Sequence, residues 1–91
     1  MNTQQGSQPG TAEDASSSQG HTVDARGHRC PMPLLMAKRA LNALDAGDQL
    51  RVLATDASSI RDFEVFARQS GHSLLSAEDR DGEFHLLLEK R

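Results

Sequence analysis

The chain has 91 residues, a formal net charge of −3 at pH 7 and one cysteine, which allows one small domain and excludes an internal disulfide. The acidic balance argues against a general nucleic-acid binder, and with no Trp or Tyr only three Phe remain for base stacking. No apolar run approaches the length of a membrane helix, and no basic start with an apolar run marks a signal peptide, so a cytoplasmic chain with a reduced thiol is expected.

Residues 1–20 are rich in Ser, Gln, Gly and Thr and contain no Val, Ile, Leu or Phe. Such a segment cannot bury enough apolar area to offset its ordering entropy, so a disordered tail is expected there, with the folded domain at 21–91. His21 to Ala25 reads as a first strand, with Val23 and Ala25 on one face. Arg26-Gly27-His28-Arg29 turns the chain towards a helix expected from about Pro31 to Leu44 or Ala46. Leu34, Ala37, Leu41 and Leu44 form its apolar stripe, and Gly47 is its stop. Gln49 to Thr55 reads as a second strand. Leu53 breaks its alternation, which suits a strand central in its sheet.

Asp56-Ala57-Ser58-Ser59 opens a second helix, capped by Asp56, Ser58, or a Ser59/Asp62 capping box. Ile60, Phe63, Phe66 and Ala67 form its apolar face, and Gly71 ends it. His72 to Glu78 reads as a third strand centred on Leu74 and Leu75. Asp81-Gly82 is a strong hairpin signal, leading into a fourth strand with Phe84, Leu86 and Leu88 on one face. The order β-α-β-α-β-β in so short a chain predicts a two-layer α/β sandwich. Its four-stranded mixed sheet would carry both helices on one face. A β-α-β-β order also occurs in RNA-binding folds, so topology alone does not decide function.

The chemistry concentrates in Cys30-Pro31-Met32-Pro33. Proline is tolerated in the first turn of a helix, where the N–H groups lack intrahelical partners. Cys30 is therefore expected at or just before a helix start, near the positive end of the helix dipole. Arg26, His28 and Arg29 lie close in sequence and are candidates for stabilising a thiolate or binding a partner. Together these predict a thiol that ionises easily, and the thiolate is the reactive form. On the residues alone, a buried inert cysteine remains an equal reading. Lys38 and Arg39 read as a solvated face. His21, His28, His72 and His85 match no zinc spacing with Cys30, so no metal site is expected.

The stretch resembles the TusA/SirA family of small sulfur-carrier proteins, whose signature is Cys-Pro-x-Pro at the first helix start. The resemblance runs from about His21 to the C-terminus. It includes Val23-Asp24-Ala25-Arg26-Gly27, Gly47-Asp48, Thr55-Asp56 and Gly71-His72-Ser73-Leu74-Leu75. It implies the same two-layer sandwich, no bound cofactor, and Cys30 as the atom that accepts persulfide sulfur. The implied donor is a cysteine desulfurase or rhodanese-like protein, and the implied acceptor is a second protein. The implied setting is tRNA thiolation, molybdenum-cofactor synthesis or general sulfur trafficking.

Asp56 is expected at the sheet end nearest the first helix start. The family usually has Asp-Pro here, whereas this chain has Asp56-Ala57. Asp62-Phe63-Glu64 likewise lacks a second proline, and Met32 stands where tRNA-thiolation carriers often have Glu. Two other readings stay open. One is a non-catalytic interaction or regulatory module, and the other is a thiol redox switch that would need a partner thiol.

Overall fold

The computed structural model describes residues 21–91, so the expected tail at 1–20 lies outside the described residues. The elements are β1 (His21–Ala25), α1 (Met32–Asn42), β2 (Gln49–Ala54), α2 (Ser59–Ser70), β3 (Ser73–Arg80) and β4 (Glu83–Glu89). They form one mixed sheet in the order β1-β2-β4-β3. β1 and β2 are parallel, pairing Val23 with Val52 and Ala25 with Ala54. β4 runs antiparallel to β2, with Val52 opposite Leu86 and Leu50 opposite Leu88. β2 is thus an inner strand, as Leu53 suggested, and Leu53 lies half-buried on the sheet face away from the core.

Period-2 alternation puts Leu50, Val52 and Ala54 of β2 and Phe84, Leu86 and Leu88 of β4 on one face, all buried. Both helices pack on that face. Ala37 and Leu41 from α1 meet Phe63 and Phe66 from α2 over Leu50, Val52, Leu86 and Leu88. The α/β sandwich read from the sequence is the one observed.

Three details depart from the expected pattern. α1 ends at Asn42 instead of Leu44 or Ala46 because its last turn tightens. Ala43 and Leu44 N–H donate to the carbonyls of Ala40 and Leu41, three residues back. Lys90 Nζ also donates to the Leu41 carbonyl at 2.8 Å, so the residue that follows β4 supplies a cation to the helix end. β3 runs on to Arg80, beyond the expected Glu78. A bulge between Leu74 and Ser76 breaks its pairing with β4. Leu74 keeps its place against the core, while Leu75 is turned out and 47% exposed. The hairpin itself follows its signal: Asp81 and Gly82 both take positive φ, 55° and 86°, as a tight turn matched to strand twist requires.

Candidate functional site

The parallel pair β1–β2 sends its carboxyl ends, and the loops that follow, to the same end of the sheet. Ligand sites of α/β sheets form there by construction. The first loop, from Arg26 to Pro31, carries the thiol. The second, from Thr55 to Ser58, opens α2. Gly27 N–H donates to Thr55 Oγ1 at 2.9 Å, joining the loops at their base. Cys30 N–H donates to Asp56 Oδ2 at 2.8 Å, joining them again at the thiol. Asp56 Oδ1 accepts the Ser58 N–H at 2.8 Å and the Ser58 hydroxyl at 2.6 Å. This local side-chain turn fixes the start of α2. These hydrogen bonds, the Ser58 hydroxyl foremost and then the Cys30 N–H, lower the Asp56 carboxyl to about 2.

Cys30 is exposed and unpaired. It stands one residue before Pro31, which occupies the N-cap of α1 and makes no side-chain capping bond. The groups nearest the sulfur work against the acidification expected from the helix end. Pro31 and Pro33 have no N–H to offer, and the Met32 N–H is committed to the Arg29 carbonyl at 2.8 Å. Facing the sulfur is a carboxylate: Cys30 Sγ–H donates to Asp62 Oδ2 at 2.9 Å. That acceptor pushes the thiol above its ordinary range. Partial desolvation and the Asp62 and Asp56 charges push the same way, and the Ser58 hydroxyl opposes them.

The sequence candidates separate in space. Asp56 is brought against the Cys30 backbone. Arg26 is drawn away from the thiol, its guanidinium held by Asp24 at 2.8 Å and Glu83 at 3.2 Å. Arg29 is close enough to Asp56 for its charge to favour that carboxylate, without an ion pair among the described residues. The His28 side chain makes no hydrogen bond among the described residues, although its charge is felt at Asp24. Met32 is 42% exposed beside the thiol, whereas Pro33 is buried and anchors the first turn of α1. No group of three or more His, Cys, Asp or Glu among the described residues is arranged to hold a metal.

Sequence reasoning missed Asp62 and its neighbour Ser59. The sequence signal at Asp62 is half of a capping box with Ser59, but Ser58 is the N-cap and makes no side-chain cap bond. The Asp62 carboxylate instead turns to Cys30, and its Oδ2 also lies 3.1 Å from Ser58 Oγ. Thirty-two residues separate Cys30 from Asp62, so only the docking of α2 beside α1 brings them together. Ser59 is 2% exposed, and its hydroxyl has no hydrogen-bond partner among the described residues. It lines a tight crevice under the thiol with Cys30, Pro33, Leu34, Asp62 and Phe63. Above it, an open groove of about 430 Å³ runs between the helices past Cys30, Leu34, Lys38, Arg61 and Phe66. Lys38, read from sequence as part of a solvated face, lines this groove with its ammonium 5.6 Å from the Phe66 ring.

A two-layer sandwich that presents one exposed thiol between paired βα loops is the frame of a small thiol-bearing carrier. Residues 21–90 match the family model described as Sulfurtransferase TusA. The chain is 46% identical over 68 residues to the Sulfur carrier protein TusA of Allochromatium vinosum, covering 75% of this chain and 90% of that one. It is 49% identical over 70 residues to a putative sulfur carrier protein of Neisseria meningitidis serogroup A, covering 77% and 95%. The crystal structure of a SirA-like protein from Desulfitobacterium hafniense superposes with a TM-score of 0.67 at 30% identity, covering 75% of this chain and 93% of that one. The chain belongs to the TusA family.

Proposed function

We propose that this chain carries sulfur as a persulfide on Cys30, accepting it from one protein and passing it to another. The sulfur-carrier role itself follows from the family. The observation that carries the assignment to Cys30 is that the chain's one thiol is exposed between the two βα loops. A carrier sulfur has to be reached twice, once by a donor persulfide and once by an acceptor thiol, so it has to stand clear of the core. Both loops are fastened to each other, and Pro33 anchors the helix behind them, so the sulfur is presented from a stiff base.

The donor is proposed as a cysteine desulfurase or rhodanese-like protein in the cytoplasm, and the acceptor as a second protein. The groove beside Cys30, with Lys38 and Arg61 on its walls, favours an approaching segment that brings carboxylates. Met32 in place of an acidic residue favours general sulfur trafficking or molybdenum-cofactor synthesis over tRNA thiolation. No helix among the described residues is long and apolar enough to cross a membrane.

The test is mass spectrometry of the protein after incubation with a cysteine desulfurase and cysteine. Gain of one sulfur atom on Cys30, lost in Cys30→Ser, is the expected result. Absence of uptake from both a desulfurase and a rhodanese-type donor overturns the assignment.

A further inference from the structure

We infer that Asp62 is the proton shuttle of sulfur exchange at Cys30. It takes the thiol proton as Sγ attacks the outer sulfur of a persulfide, and it gives that proton to the sulfur that leaves. The inference rests on the carrier reading of Cys30 and adds a residue that reading does not contain.

The nucleophile has to be a thiolate, yet the resting sulfur is a thiol bonded to a carboxylate. Among the described residues, no cation and no helix N–H is hydrogen-bonded to the sulfur. The Arg26 guanidinium is held by Asp24 and Glu83, and the first N–H of α1 is spent on Arg29. The charges that act on the sulfur are carboxylates from the α2 side, Asp62 directly and Asp56 behind Ser58, while Arg29 on the cysteine's own loop faces Asp56; Lys38 of α1 and Arg61 of α2 line the groove beside Cys30 without bonding to it. Among the described residues, Asp62 is the base within hydrogen-bond reach of Sγ, at 2.9 Å.

Its position suits a shuttle. Asp62 sits in the first turn of α2, its N–H bonded to the Ser58 carbonyl at 2.9 Å. Ser58 Oγ stands between the two carboxylates, 2.6 Å from Asp56 Oδ1 and 3.1 Å from Asp62 Oδ2. Its single proton can therefore turn to Asp62 when the thiol proton is not there, or remain on Asp56 when it is. Asp62 also lines the open groove together with Cys30. An incoming persulfide then meets the sulfur and the carboxylate in one place.

The step balances without an external oxidant or reductant. Written overall, Cys30–SH and a donor R–S–S⁻ give Cys30–S–S⁻ and R–SH. One S–S bond breaks and one forms, the outer sulfur changes owner, and one proton crosses from Cys30 to the inner sulfur of the donor. Asp62 carries that proton. In delivery to an acceptor thiol the roles reverse, and Asp62 returns a proton to Sγ as it leaves.

The experiment uses the full chain with glutathione persulfide as sulfur source, and follows uptake by mass spectrometry and thiol alkylation by iodoacetamide as functions of pH. In Asp62→Asn, alkylation is expected to set in at lower pH than in the wild type, because the carboxylate is gone. Sulfur uptake near neutral pH is expected to fall by about a hundredfold, the low end of general acid–base contributions. Asp62→Glu is expected to restore part of it. A group that merely held the thiol protonated would instead give faster alkylation and faster uptake together, and equal or faster uptake in Asp62→Asn overturns the inference. The wild type supplies a second measurement that needs no variant: its uptake is expected to rise less steeply with pH than its alkylation. If the two rise in parallel, free thiolate is the nucleophile and the shuttle is refuted. Wild-type protein that takes up no sulfur from this source or from a desulfurase refutes the carrier reading itself, and the inference with it.

Discussion

Replacing Phe63 with alanine should strike the fold and the site together. Phe63 has no exposed surface and packs edge-to-face with Phe66, ring centroids 6.4 Å apart and planes at 89°. It belongs to the buried core cluster that includes Leu50, Val52 and Leu86 and forms part of the crevice wall under Cys30. Truncating a buried Phe costs about 3–5 kcal/mol in lost burial and residual cavity, of which the aromatic pair accounts for about 0.5–1.5 kcal/mol. A domain of this size holds roughly 4–10 kcal/mol in all, at ~0.05–0.15 kcal/mol per residue. The substitution therefore removes between a third and all of the stability. In a urea titration with a slope of about 1–2 kcal/mol/M, the midpoint should drop by roughly 1.5 M or more, or the protein should start unfolded. Phe63→Leu should cost less than half as much. A midpoint for Phe63→Ala within about 0.5 M of the wild type, a loss below ~1 kcal/mol at that slope, would mean that the helices are not held to the sheet by this ring.

Three further outcomes follow from single residues. Ser59→Ala removes a buried hydroxyl that has no partner among the described residues, a group that costs about 1–3 kcal/mol when unsatisfied. It should raise stability by about 1 kcal/mol, and thermal melting near 4–8 °C higher checks it; a lower melting temperature would show that the hydroxyl is bonded in solution. Gly71→Ala places a Cβ at φ 87° in the C-cap of α2, which should cost about 1–2 kcal/mol. The Arg91 side chain 2.8 Å from that Cβ is flexible and can move aside; an unchanged melting temperature would refute the left-handed cap. Asp56 has its carboxyl lowered from 3.8 to about 2 by bonds from Ser58 and Cys30. A lowered carboxyl contributes stability that is complete above its unfolded value and is lost as pH falls through the folded one. Melting temperature should therefore hold down to about pH 4 and decline towards about pH 2, with Asp24 sharing the decline through Arg26. Asp56→Asn should melt lower at neutral pH and decline less in acid.

Much of the fold was legible because its signals are local. Asp81-Gly82 needs only its own two residues to set the hairpin. Gly71 needs only the chain reversal after α2, and Leu53 reports a strand flanked on both sides. The outward turn of Leu75 has a different origin. Two adjacent leucines satisfy a strand pattern equally well, and only the bulge against β4 decides which one turns outward. The apolar stripe continues to Leu44, so it does not show that the last turn of α1 tightens after Asn42, nor that Lys90 from the far end of the chain meets the Leu41 carbonyl there. At the site, position was readable and electrostatics was not. The prolines locate Cys30 at the foot of α1. Nearness in sequence suggested that Arg26 would serve the thiol, but Asp24, two residues back at the end of β1, holds the guanidinium by both Nε and Nη2. The group that sets the state of the sulfur, Asp62, comes from another helix, and no spacing within the chain announces a contact made by helix docking.

That arrangement has a consequence for any role in which Cys30 holds and then releases sulfur. A cation beside the thiol would favour both the thiolate and the anionic persulfide, and so would make loading easy and unloading hard. A carboxylate does the reverse. It keeps the resting sulfur protonated, which makes it a poor target for peroxide, since oxidation follows thiolate character. It also places like charge beside the loaded persulfide anion, which raises the energy of the loaded state relative to the transferred one. A carrier that must give up its cargo to a partner gains from holding it weakly, provided the proton is supplied at the moment of exchange. Neutralising Asp62 tests both halves at once. The persulfide formed on Asp62→Asn should survive longer in the absence of acceptor, and transfer it more slowly in its presence. A shorter lifetime for the loaded variant would show that the carboxylate stabilises the persulfide.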